Sequence, residues 1–419
     1  MLLFHRKIWL LYLVATILLF SPFLNAMNEE EDEKDIIYTD VGAGSETGEN
    51  SPAITSQIVS PRAVAVDLSR NLYITELSGN YVKKVDFISG KISTIAGNGM
   101  AGHNGDNIAA RDASLNGPCS LSFDKLGENL YIAEYNSHRI RKIDMNTNVI
   151  TTVAGTGMAG YSGDNMLATN AQLDTPTSVV LDSDGNIYVA DFENNRVRKV
   201  DAVTKYCTTF AGTGVTGSYG DGVQADTAQF HGPYSLAVNV NNGPSDYLYI
   251  AESLNNLIRK VDLSTKIITF VAGVNTPNFN GPIISGQRML TVDKEGSLFY
   301  SDINNNFVKK IFAATTNNIY LIAGNGDTEF NGNPHLAATA ALNGPSGIVH
   351  DTYGNIYIAE FLGNRVRHVP CVGYPYPPTV EPTAVPSSPP TDMPSSPPTD
   401  MPSSPPTDMP SSPPTDMPS

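Results

Sequence analysis

The sequence predicts an all-β fold, a six-bladed β-propeller of four-stranded blades whose last blade is closed by the N-terminal strand. Three observations carry that prediction. A frame of apolar runs returns six times, from Pro61, Pro118, Pro176, Pro233, Gln287 and Pro345, at spacings of 57, 58, 57, 54 and 58 residues. The runs are five to six residues long, rich in Val, Ile, Tyr and Thr, and bounded by Gly, Asn and Asp turns, which is strand chemistry. The sixth unit stops after its third strand at Val369-Pro370, while Ile36-Ile-Tyr-Thr-Asp-Val-Gly42 aligns without a gap on Val149-Ile-Thr-Thr-Val-Ala-Gly155. Four strands per unit, repeated radially, make a propeller, and residues 36–42 remove the open edge that the sixth blade would otherwise present.

In chain order, residues 1–26 come first. They begin with His5-Arg6-Lys7, run apolar from Ile8 to Phe20, break at Ser21-Pro22 and reach a small residue at Ala26, the pattern of a cleaved secretory signal peptide. The alternative is an uncleaved anchor, since Ile8 to Leu24 is 17 residues and a span of that length just crosses a bilayer. Only in that case is a membrane association expected. Either way the acidic linker, residues 27–35, and all that follows are exported, so the expected localisation is secreted or cell surface.

The propeller occupies residues 36–372, and a Pro/Ser/Thr-rich repeat tail follows at 373–419. There Pro386 to Met393 reads PSSPPTDM and returns three more times, so that thirteen prolines lie between Pro386 and Ser419. With φ fixed, donors removed and no large apolar residue but Met, such a segment packs no core and is expected to be a disordered, extended stalk. Its Ser and Thr beside Pro suit O-glycosylation, whereas the chain holds no Asn-x-Ser/Thr sequon. No apolar segment follows the stalk, so a glycolipid anchor is not expected.

Within the repeat, Asn186-Ile-Tyr-Val-Ala-Asp191 followed by Asn194-Asn-Arg-Val-Arg198 resembles the NHL repeat, a family of propeller blades, as do Asn129 to Arg141 and Asn355 to Arg367. The resemblance covers about residues 36 to 370. The Gly-rich connectors, such as Ala154-Gly-Thr-Gly157 through Ser162-Gly-Asp164, resemble those of exported NHL propellers and of the propeller region of teneurins. This implies fold more than function, because propellers host binding modules, lyases and hydrolases alike. His138 stands where NHL repeats often carry His, which implies a structural role.

Composition narrows the function. The full chain carries 26 basic and 42 acidic residues for a net charge of −16. Eleven of those acids lie outside residues 36–372, and the propeller itself stands at −8. That balance, with Lys/Arg pairs spread once per blade, argues against nucleic-acid binding and reads as solvated charge. Three cysteines make no disulfide framework; Cys119 and Cys207 fall in strands and read as small buried hydrophobes. No Gly-x-Ser-x-Gly elbow, phosphate loop or His-Glu-x-x-His occurs.

The connectors of about 20 residues all reach one face, the default binding surface. They carry Glu49, Asp106, Asp164, Asp221 and Asn333 at equivalent places. Capping of a glycine turn or short helix outweighs a metal site there, with Asp106, Asp164 and Asp221 as the candidate ligands were calcium bound. Three residues earlier stand Glu46, His103, Tyr161, Ser218 and Phe330, unlike residues on one frame, which suits recognition. His103, Tyr161, Tyr219, His231, Phe330 and His335 are therefore the candidate binding residues, aromatics giving large contact area at low entropic cost. Small residues on the inner strands reflect packing at the axis, and Asp67, Asp124, Asp182, Asp293 and Asp351 form turns. Glu134 with Arg139, Asp191 with Arg196 and Glu360 with Arg365 are expected to brace the loops between second and third strands. At the channel mouth Arg62, Tyr234 and Arg288 form the candidate site of an alternative hydrolase or lyase. The expectation is a secreted, monomeric, non-enzymatic propeller without a cofactor that binds an extracellular protein or glycan through its connector loops.

Overall fold

The computed structural model describes residues 36–42, 44–239, 246–273, 284, 286–312 and 319–371, except the side chains of Gln287 and Arg288. The chain divides into the units Met1–Pro377 and Pro378–Ser419, and every described residue lies in the first. The signal-like segment 1–26, the linker 27–35 and the tail 373–419 lie outside the described residues, as does most of the unusual Asn278 to Ile284 connector.

Six antiparallel sheets follow one another around an axis. Their inner strands are Pro61–Val66, Pro118–Phe123, Pro176–Leu181, Pro233–Asn239, Gln287–Val292 and Pro345–His350. Five of the six start on Pro, whose missing N–H is harmless at the first position of a strand. Ile36–Val41 is the outer strand of blade six, antiparallel to Arg365–Val369 with Tyr38 opposite His368 and Thr39 opposite Arg367. Ile37 and Val41 are fully buried there.

Four blades carry a fifth strand that the four-strand repeat does not predict. Ser51–Pro52, Ile108–Ala109, Met166–Leu167 and His335–Leu336 each lie along the outer strand of the blade they lead into. The reason is that each connector runs back along that strand before a single turn of 3-10 helix, such as Ala168–Asn170, and only then enters the inner strand.

The core sits between blades. Ala65, Tyr73 and Val82 of blade one, for example, pack with Leu121, Leu130 and Ile132 of blade two. On the axis the small residues do more than fit. The hydroxyls of Ser120, Ser178 and Ser235 accept the N–H groups of Val179, Leu236 and Leu290 in the next blade at 3.0–3.3 Å. Ser346 Oγ donates to the Arg62 carbonyl at 2.8 Å, joining blade six to blade one. Below these links lies an axial cavity of about 180 Å³ lined by all six inner strands, with Val64, Leu121, Val179, Leu236, Leu290 and Ile348 among them.

A second ring of links runs through the loops between second and third strands. Asn80, His138, Asn195, Asn256, Asn306 and Asn364 all have φ of 49–59°. Asn tolerates this left-handed region better than most residues. Their side chains accept the N–H groups of Gly117, Thr175, Gly232, Gly286, Gly344 and Ser60 at 2.8–3.2 Å, each in the following blade. His138 is the one imidazole in this ring, its Nδ1 doing the work of an amide oxygen. Its role is structural, as the family resemblance implies.

The backbone carbonyls of the same residues explain the first glycine of each connector. A Cβ on Gly155, at φ +93°, would lie 2.2 Å from the His138 carbonyl oxygen, and the five equivalent glycines meet the same obstacle at 2.1–2.5 Å. Gly155→Ala is therefore expected to destabilise the protein by about 3 kcal/mol through strain at a positive φ plus a backbone clash. Gly222→Ala, also at positive φ but with open space around its Cβ, is expected to cost only about 1 kcal/mol. Denaturant melts of the two variants measure the difference.

Candidate functional site

Second strands end in a carboxylate at the connector face: Glu76, Glu134, Asp191, Glu252, Asp302 and Glu360, all buried. Seven residues on, the third strand supplies Lys83, Arg141, Arg198, Arg259, Lys309 and Arg367, of which the four arginines are fully buried. The pairs close at 3.8 Å for Arg141 with Glu134, 3.3 Å for Arg198 with Asp191 and 2.6 Å for Arg259 with Glu252. Lys309 with Asp302 and Arg367 with Glu360 follow at 2.9 and 3.3 Å. The carboxylates also accept connector N–H groups, as Asp191 does from Asp174 at 2.7 Å and Glu76 from Val59 at 2.8 Å. Burial pushes the Asp191 carboxyl up to about 6 and that of Glu252 up to about 7, against the opposing pull of Arg198 and Arg259.

Two expectations are corrected here. The basic pairs are not solvated charge: the first member is fully buried where it is arginine, Lys309 pairs with Asp302, and Lys83 donates to Thr94 at 2.8 Å. In four of the pairs the second stacks on an aromatic ring of the second strand, as Lys260 does over Tyr247 and Lys310 over Phe299 at 4.6 Å. Nor do Arg139 and Arg196 brace the loop through Glu134 and Asp191. Their guanidiniums brace it through its own carbonyls, Ser137 and Asn194 at 3.0 Å, and reach on into the next connector to the carbonyls of Thr156 and Thr213. A Cβ on Gly157 or Gly214 would fall within about 2 Å of them. Arg365 lies 4.0 Å from Glu360 and donates to the loop carbonyl of Gly363 at 3.1 Å.

The connector acids sit one layer above. Asp164 accepts from Arg198 at 2.7 Å, Thr209 at 2.8 Å and Tyr161 at 2.9 Å. Burial raises its pKa, but these bonds outweigh it and hold the carboxyl below the usual range. Asp106 meets Arg141 at 3.1 Å, Asp221 meets Arg259 at 3.9 Å, and Asn333 accepts from Arg367 at 3.2 Å. The short helices have no side-chain cap hydrogen bond. For Asp106, Asp164 and Asp221 the expected capping role is thus replaced by pairing with a buried arginine of the incoming blade, while Glu49 accepts from Thr94 and pairs with the exposed Arg111. Among the described residues no three potential ligating side chains converge on one point.

Over this layer lie the candidate binding residues, spread over the connectors into blades two, three, four and six. The Arg196 guanidinium stands 3.8 Å from the centre of the Tyr161 ring, and Arg365 stands 4.1 Å from that of Phe330, with the buried Arg198 and Arg367 beneath at about 5 Å. Tyr161 and Phe330 keep 43% and 47% of their surface exposed. His103 takes the same place in blade two, where burial and then the charges of Arg141 and Arg139 push its imidazole below the ordinary range. Tyr219 is 70% exposed. His231 and His335 are half-buried; the His231 N–H reaches Glu252 at 3.3 Å, and the His335 ring lies 3.1 Å from the Thr339 hydroxyl. The frame therefore distributes these residues around a ring and gathers them into no single cluster.

At the mouth, Arg62 is buried, with its guanidinium 5.2 Å from the centre of the Tyr234 ring and 5.4 Å from that of Phe361. Blades one and four are thus bridged across the axis. The Arg288 side chain lies outside the described residues. Cys119 and Cys207 are buried as expected, and burial pushes their thiols up to about 12 and about 11. Sequence reasoning missed Met100, Met158 and Val215, which recur after the connectors' second glycine and are 57–65% exposed. Their spacing was available in the sequence; their exposure was not.

Fold and loop face together define a six-bladed β-propeller with a preorganised connector surface. The family described as "NHL repeat" matches residues 173–200. Human teneurin-1 is 25% identical over 382 residues, covering 80% of this chain and 13% of that protein. The Arabidopsis thaliana protein SUPPRESSOR OF QUENCHING 1, chloroplastic, is 26% identical over 269 residues, covering 60% of this chain and 25% of that one. The chain thus spans a quarter or less of the length of these relatives. Among solved structures, an auxiliary nutrient binding protein from Bacteroides thetaiotaomicron superposes with a TM-score of 0.56 at 15% identity, covering 80% of this chain and 75% of that one. A gluconolactonase from Xanthomonas campestris superposes with 0.51 at 13% identity, covering 81% and 91%. At these identities the likeness is one of fold. Among the described residues no helix is long and apolar enough to cross a membrane.

Proposed function

We propose that the protein is an exported, non-enzymatic propeller that binds an extracellular protein or glycan through its connector face. The observation that carries this reading is a contrast within that face. Its buried arginines and the acids that meet them are used internally, whereas Met100, Met158, Val215, Tyr219, Leu254 and Leu362 are each 53–70% exposed on it. Large apolar side chains on a rigid, saturated scaffold are what a partner can bury at low entropic cost. The apolar start and its basic flank support export. The alternative, a hydrolase or lyase at the mouth, rests on Arg62, Tyr234 and Arg288, and the Arg62 guanidinium is already engaged with the rings of Tyr234 and Phe361.

Capture of extracellular partners by the purified chain tests the reading. Met158→Ser combined with Tyr219→Ser is expected to weaken capture at least tenfold with an unchanged melting temperature. Undiminished capture, or turnover in a hydrolase panel that Arg62→Ala abolishes, would overturn it.

A further inference from the structure

The connector face has a charge pattern that names the kind of partner it fits. Residues 44–60, 97–117, 155–175, 212–232 and 324–344 contain ten Asp or Glu, a single Arg at 111 and no Lys. The lysines lie elsewhere. Of the twelve among the described residues, Lys83 and Lys309 belong to the buried layer, and the other ten sit in the turns and strand halves of the opposite face and rim. The face's positive charges are consumed. Arg139 and Arg196 are pinned on connector carbonyls, and Arg141, Arg198, Arg259 and Arg367 are buried. Its negative charges are consumed only in part: Glu49, Asp106, Asp164, Asp174 and Asp221 are paired. Glu46, Asp112, Glu193, Asp226 and Glu329 are exposed, and among the described residues none of them has an ion pair.

We propose that the connector face docks a cationic protein segment, one whose Lys or Arg side chains meet these free carboxylates while apolar side chains between them cover Met100, Met158 and Val215. This rests on the binding reading above and sharpens it. An anionic glycan is disfavoured, because the one exposed connector cation, Arg111, already pairs with Glu49 at 3.3 Å, and a neutral glycan leaves the carboxylates without a role. Two independent features, unpaired charge of one sign and recurrent exposed apolar side chains, agree on an amphipathic, positively charged occupant.

The test uses the full chain and three probes: a twelve-residue peptide of alternating Lys and Leu, its Glu and Leu counterpart, and a heparin oligosaccharide. The Lys/Leu peptide is expected to bind, and its affinity to fall about tenfold between 50 and 300 mM salt as screening takes effect. Asp226→Lys with Glu329→Lys is expected to weaken it at least tenfold. Asp184→Lys with Glu295→Lys, exposed acids on the opposite face, is expected to change it less than twofold. Preference for the acidic peptide or heparin, absence of cationic binding, or equal loss on both faces would overturn the proposal. Partner capture separates the two levels. If Met158→Ser with Tyr219→Ser abolishes capture while Asp226→Lys with Glu329→Lys leaves it intact, the face binds but its partner is not cationic. If neither pair matters, the binding reading falls as well.

Discussion

Deleting residues 36–42 is expected to abolish the cooperative thermal transition of the propeller. Ile36–Val41 is the outer strand of blade six, and without it Arg365–Val369 becomes a bare edge. Ile37 and Val41 are fully buried, and truncating such side chains alone costs about 2–5 kcal/mol for an Ile and somewhat less for a Val. Arg367 would lose the Tyr38 carbonyl, and His368 would lose Asp40, which its Nδ1 meets at 2.5 Å. Domain stabilities of about 5–15 kcal/mol do not survive the sum of these losses plus an opened ladder. Calorimetry measures it: a chain starting at residue 36 should melt as the full chain does, and one starting at residue 43 should show no sharp transition. Equal melts would refute the closure.

Arg259→Met is expected to cost about 3–5 kcal/mol at neutral pH, because it strands a buried carboxylate that was fully paired. Glu252 is unexposed, 2.6 Å from Arg259 Nε, and Arg259 also donates to the carbonyls of Gln229 and Tyr219. Adding Glu252→Leu should restore much of the loss, since no orphan charge then remains. The pH dependence follows from the same geometry. Burial sets the folded carboxyls of Glu252 and Asp191 at about 7 and about 6, above the roughly 4 of an unfolded chain. The folded state therefore holds protons that the unfolded state has released. Its stability from these groups is complete below about pH 4 and is lost as pH rises through 6 and 7. The wild type should melt higher at pH 5.5 than at pH 8, and Arg259→Met should steepen that difference. A melt that falls on acidification over this window would contradict the assignment.

Most of the fold was legible in the sequence because its signal is local and repeated six times. Pro at five of the six inner-strand entrances, Gly-Asn turns and short β-branched runs need no knowledge of distant contacts. Even the closure was visible, since Ile36 to Gly42 copies an outer strand. The site was legible only in part. Glu134 does stand directly opposite Arg139 in the ladder, which is what their spacing suggests. Yet Arg141, two residues on and so on the same strand face, takes the carboxylate, while Arg139 turns to a connector that arrives from elsewhere. Asp106 lies 35 residues from Arg141, and no local pattern announces such a pair. The same non-locality hid the fifth strands and the ring through Asn80 and His138, which join consecutive blades by contacts 37 residues apart.

The placement of the lysines has a practical corollary for anyone handling the protein. Reagents that acylate primary amines, whether to biotinylate the chain or couple it to a sensor chip, would attack the exposed ammonium groups, and on the propeller these lie away from the connector loops. Molecules attached through them would present the connector surface outward, so a solid-phase assay would begin with its receptor already oriented.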